Sequence, residues 1–114
     1  MSTRYAHHLP ACVHVEIGGN LLQTRDYLMH LASELSDAYP KSFPPVKAVD
    51  EALRAVNRLR LAMDNVSSAE LPGDRWAPTI YRGADEDMRQ ADMQRVMEAH
   101  WADNPDCPCI DGNG

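Results

Sequence analysis

Apolar residues recur at helical spacing in two long stretches, separated by the connector Pro40-Lys41-Ser42-Phe43-Pro44-Pro45. In the first stretch Leu21, Leu28, Ala32, Leu35 and Tyr39 fall at steps near three and four, with Leu31 and Ala38 beside them. At 3.6 residues per turn these form one stripe. Gln23, Asp26, His30, Ser33, Glu34 and Asp37 take the opposite face. The spacing predicts a helix over 20–39. Asn20 suits its N-cap because the side-chain oxygen can accept an orphan backbone N–H, and Gln23 would complete a capping box. Pro40 stops it, since a residue before proline is pushed away from helical dihedrals.

The second stretch predicts a helix over 44–66. Val49, Ala52, Leu53, Val56, Leu59, Met63 and Val66 make a stripe along it. Pro44 and Pro45 fit a first turn, whose backbone donors have no intrahelical partner to lose, and Ser42 offers a cap. Asp50 with Arg54 and Arg60 with Asp64 stand four apart with the acid first in one pair and the base first in the other. The connector is short enough to make the two helices antiparallel neighbours that bury their stripes on each other.

Outside this hairpin the pattern changes. Val13, Val15 and Ile17 alternate with Cys12, His14 and Glu16 before Gly18-Gly19. That period of two predicts a short strand over 12–17. A strand needs a ladder partner, and the candidates are the β-rich segment 79–82 or the same strand of a second copy. Leu71-Pro72-Gly73-Asp74 reads as a turn. The linker behind it carries Trp76, Ile80 and Tyr81, enough apolar area to fold back over the hairpin. A third helix is expected over 85–101, with Asp85-Glu86-Asp87 at its dipole-positive start. Met88, Met93, Val96, Met97 and Trp101 spread round its wheel, and Asn104-Pro105 ends it. Residues 1–11 read as an arm and 102–114 as a tail of a single small domain, 1–114.

Charge changes the picture of possible partners. Of a formal net charge of −6, residues 70–114 hold 10 Asp/Glu against 4 Lys/Arg. Phosphate binding needs clustered Lys/Arg, so nucleic acid is not the expected partner, and a protein with a basic surface suits the acidic third better. The Lys47/Arg54/Arg58 edge, interrupted by Glu51, reads as a solvated face. No segment approaches the ~20 apolar residues of a membrane span, and no secretory signal opens the chain. An odd count of three cysteines fits a reducing compartment, so the cytoplasm is the expected location.

One constellation could carry chemistry. Cys107 and Cys109 flank a proline, while Cys12 and His14 would share a strand face, with His7, His8 and His100 as further nitrogen donors. Zinc takes four such thiolates and imidazoles, so Cys12, His14, Cys107 and Cys109 are the candidate metal ligands. Their alternative roles are those of a small buried hydrophobe and surface thiols. His14 with Glu16 could form a base and its orienter. The chain shows no nucleophile elbow, phosphate-binding glycine loop or His-Glu-x-x-His helix.

The expected fold is mainly α: the hairpin, a third helix and the short N-terminal strand. The expected function is a non-enzymatic interaction protein, an accessory subunit, adaptor or inhibitor that oligomerises with itself or docks on another protein. Trp76, Tyr81, Met93, Met97 and Trp101 are its candidate partner-binding residues. A zinc-binding module is the first alternative, and a small enzyme with a site assembled across a dimer is the second.

Overall fold

The computed structural model describes residues 8–83 and 85–111, with the side chains of 110 and 111 set aside. The first seven residues of the expected arm, His7 among them, and the last three of the tail lie outside the described residues. Helix α1 spans Ala11–Ala38, α2 spans Pro44–Glu70 and α3 spans Glu86–Asp103. Three short 3-10 turns, Gly73–Arg75, Pro78–Ile80 and Pro108–Asp111, complete the described elements.

The hairpin forms as the apolar spacing requires. Leu28, Leu31 and Leu35 of α1 and Leu53, Val56 and Met63 of α2 are half-buried, and Val49 is buried. Pro44 and Pro45 occupy the first turn of α2, while its N-cap is Phe43, with no side-chain cap from Ser42. The Phe43 ring stacks on Tyr39 at 4.3 Å across the connector. Asp50 pairs with Arg54 at 3.0 Å. The Arg60–Asp64 pairing is replaced: Arg60 turns to backbone carbonyls, and Asp64 pairs with Arg82 at 2.9 Å. Helix α3 starts as its acids predict, with the Asp85 side chain accepting from Met88 N–H at 2.9 Å.

The strand expected at 12–17 is instead the first two turns of α1, and 79–82 is a 3-10 turn and bend; no strand occurs among the described residues. Asn20, the expected N-cap, therefore lies inside a helix that begins nine residues earlier. A lone strand leaves its backbone groups unpaired, whereas helical backbone pairs within itself. The β-branched residues of 12–17 cost only a few tenths of a kcal/mol each in a helix. The helical alternative wins on that comparison.

The core sits where the open end of the hairpin meets α3. Ala11, Leu71, Ala77, Ile80, Tyr81, Met93 and Val96 are its buried apolar residues. The segment 78–82 runs through the middle of this core and supplies Ile80 and Tyr81, both fully buried. Its carbonyls need partners there, and two arginines provide them. Arg89 donates to Thr79 O and Ile80 O at 3.0 and 3.2 Å, and Arg60 donates to Tyr81 O and Arg82 O at 2.9 and 2.6 Å. Gly18 lies directly against the Ile80 carbonyl, so close that a Cβ could not fit.

A polar chain crosses the same core. His14, fully buried, has Nε2 at 2.7 Å from Glu70 Oε1 and Nδ1 at 2.7 Å from the Tyr81 hydroxyl. A carboxylate only accepts, so Nε2 carries the hydrogen, and Nδ1 accepts a hydrogen bond from the Tyr81 hydroxyl. Burial, with Glu70 nearby, pushes the Tyr81 hydroxyl up to about 12, which keeps it a donor. Tyr81→Phe should lower stability by about 1–3 kcal/mol, because His14 Nδ1 is then left buried without a donor. Urea unfolding measures this; an unchanged midpoint and slope would show that the hydroxyl contributes nothing.

Candidate metal centre

Three separated pieces of chain meet beside this core. Cys12 stands on the first turn of α1, His100 on the last turn of α3, and Cys107 and Cys109 on the segment that returns after Asn104-Pro105. Asn104 caps α3, its N–H donating to His100 O at 2.9 Å, and its carbonyl accepts the Cys107 N–H at 3.0 Å. That turn reverses the chain and brings both tail sulfurs back over the end of α3. One ligand atom from each of Cys12, His100, Cys107 and Cys109 lies within 4.8 Å of all the others. The four are close enough to hold one metal ion.

The spacing has chemical content. Cys12 Sγ and Cys107 Sγ are 3.8 Å apart, against about 2.05 Å for a disulfide. Two sulfurs held tetrahedrally at Zn–S of about 2.3 Å are about 3.8 Å apart. The His100 ring is buried, and Nε2 has no hydrogen-bond partner, while Nδ1 lies 3.3 Å from Asn104 Nδ2. Burial holds the His100 imidazole below its ordinary range, with Asp103 opposing, so the neutral, ligating form is favoured. Burial, reinforced by the neighbouring Cys107 and Cys109 sulfurs, pushes the Cys12 thiol up to about 12. Thiolates crowded together in this way need a cation to ionise together.

The surroundings support the ligand positions. Trp101 Nε1–H donates to Cys109 Sγ at 3.3 Å, the kind of outer contact that orients a metal-binding sulfur. Arg75 and Asp103 are ion-paired, tying the Gly73–Arg75 turn to the last turn of α3. His100 also borders a cleft of about 230 Å³, which Leu9, Glu70, Arg75 and Asp103 help to line.

Of the ligands expected from sequence, Cys12, Cys107 and Cys109 come together and His14 does not. Both His14 nitrogens are engaged, by Tyr81 and Glu70. His100 takes its place. Cys12 and His14 share a face only on a strand; on a helix two residues turn the side chain by about 200°. The loss of the strand therefore removes His14 from the set. A sequence signal for His100 existed: it lies seven residues before Cys107, with Asn104-Pro105 as a chain reversal between them. Glu16 is exposed, and the carboxylate against His14 is Glu70.

The expected partner-binding residues divide. Tyr81 and Met93 are core residues with 0% and 8% exposure, so they offer no docking surface in this fold. Trp76 is half-buried, donating to Ser67 Oγ at 3.0 Å, and Met97 is half-buried. Trp101 keeps 38% exposure beside Cys109. No helix among the described residues is long and apolar enough to cross a membrane. No protein-family model, curated protein or solved structure matches this chain.

Proposed function

We propose that this chain is a non-enzymatic interaction protein whose small fold is fastened by a structural zinc ion on Cys12, His100, Cys107 and Cys109. The observation that carries the metal is the convergence of three sulfurs and one nitrogen of the buried His100 ring, from sites up to 97 residues apart, within 4.8 Å. Three cysteines and a histidine are a donor set that zinc favours. Four protein ligands fill a tetrahedral shell and leave no position for water or substrate, which is the mark of a structural site. Such an ion would clamp the start of α1, the end of α3 and the tail. The long hairpin would then project from that clamp as a recognition surface.

Elemental analysis of the purified chain tests the metal. About one zinc per chain is expected, and exchange for cobalt should give the intense visible absorption of tetrahedral cobalt–thiolate coordination. His100→Ala should abolish both, and His14→Phe should leave both in place. Absence of bound metal together with three rapidly reacting thiols in the folded protein would overturn the proposal.

A further inference from the structure

Helix α2 carries two apolar stripes, and α1 covers one of them. Val49, Leu53, Val56 and Met63 belong to the covered stripe. The other, Ala48, Ala52, Ala55, Leu59, Ala62 and Val66, advances in alternating steps of four and three, the spacing of a coiled-coil seam. It lies about 100° round the helix from the first. Leu59 and Val66 are 48% and 42% exposed along it. The segment 76–82 occupies the opposite flank, where it engages Arg60, Asp64 and Ser67. On α1 that segment and Gly83 meet Gly18 and Leu22. Tyr27, 63% exposed, and Leu31 lie on the far side of the α1 stripe from Leu22, so they continue the open face across the hairpin.

We propose that this face binds a second copy of the same chain, two hairpins stacking as four helices about a two-fold axis parallel to them. The proposal names the partner for the recognition role proposed above and does not depend on the metal. Charge favours a self-match. Between residues 26 and 37 α1 carries Asp26, Glu34 and Asp37 and no Lys or Arg, and Glu34 and Asp37 flank the open face. Lys47, Arg54 and Arg58, interrupted by Glu51, flank it along α2. A two-fold axis along the helices lays each α1 over the partner's α2, setting the acidic edge on the basic one. The perpendicular axis would set acid on acid.

The area is adequate as well. Eighteen residue steps span about 27 Å, and two helices side by side are about 20 Å wide. That is roughly 500 Å² per copy and about 1,000 Å² in all, the lower end of specific interfaces. Alanines at four of the six seam positions allow the helices to approach closely, so contact along the seam is continuous.

Sedimentation equilibrium on the full chain, as purified, should give twice the chain mass. Leu59→Glu or Val66→Glu should weaken association by roughly a hundredfold with unchanged far-ultraviolet circular dichroism. Lys47→Glu with Arg54→Glu should weaken it too, and adding Glu34→Lys with Asp37→Lys should restore it. A monomer at every concentration, or a dimer indifferent to these substitutions, overturns the inference. Metal content read on the same samples keeps the two proposals apart, since a metal-bearing monomer sinks only this one.

Discussion

Stripping metal from the purified chain is expected to lower its melting temperature by roughly 15–30 °C. An ion that binds only the folded state, present at about a thousand times its dissociation constant, stabilises by about 4 kcal/mol. In a domain near 100 residues each kcal/mol moves the midpoint by about 4–8 °C. The effect is large here because the ion would join the start of α1 to the end of α3 and the tail, segments otherwise joined by few core side chains. Only Met93, Val96 and His100 are buried on α3. Cys12→Ser should produce the same loss without chelator, and its melting temperature should no longer respond to added zinc. Affinity should fall as pH drops, because each protonated thiol or imidazole is lost as a ligand. Differential scanning calorimetry with and without chelator makes the measurement, and coincident curves would show that no metal supports the fold.

Gly18→Ala is expected to destabilise the chain by about 1–2 kcal/mol, against the sign of helix propensity. Glycine inside a helix is about 0.5–1 kcal/mol worse than alanine, so propensity alone forecasts a gain. Position 18, however, touches the Ile80 carbonyl, and an added Cβ would overlap backbone rather than the end of a flexible side chain. Ile80 cannot yield cheaply, because Arg89 and Arg60 hold the carbonyls of 79–82 and Tyr81 is anchored by His14. Overpacking of this kind costs about 1–3 kcal/mol or more. Gly19 is the control, its nearest neighbour being Arg89 Nη2 at 3.9 Å. Gly19→Ala should stabilise by up to about 1 kcal/mol. Equal effects at the two positions would show that the close approach at Gly18 is not what sets stability.

Residues 12–17 show how one local ambiguity spreads. Cys12, Val13, His14, Val15, Glu16 and Ile17 alternate cleanly, so the local pattern favours period two over a helix. The helical stripe was present, but it consists of Ala11, His14, Gly18 and Leu22, only one of them a large hydrophobe. A strand there places His14 beside Cys12 as a ligand and leaves Gly18 just beyond its end. The folded chain makes the first a partner of Glu70 and the second a helix contact.

Apolar spacing by itself determined that there would be a hairpin with a proline-bounded connector, and a third helix opened by acids at Asp85. These are local features whose signal needs only neighbours three or four residues away. The tertiary structure alone decided which polar and small residues go inside. His14, Gly18, Asp64, Ser67 and His100 are buried because Tyr81, Ile80, Arg82, Trp76 and the returning cysteines arrive from distant parts of the chain. Burying a polar group is favourable only when a partner meets it, and no pattern within a single helix records where that partner will come from.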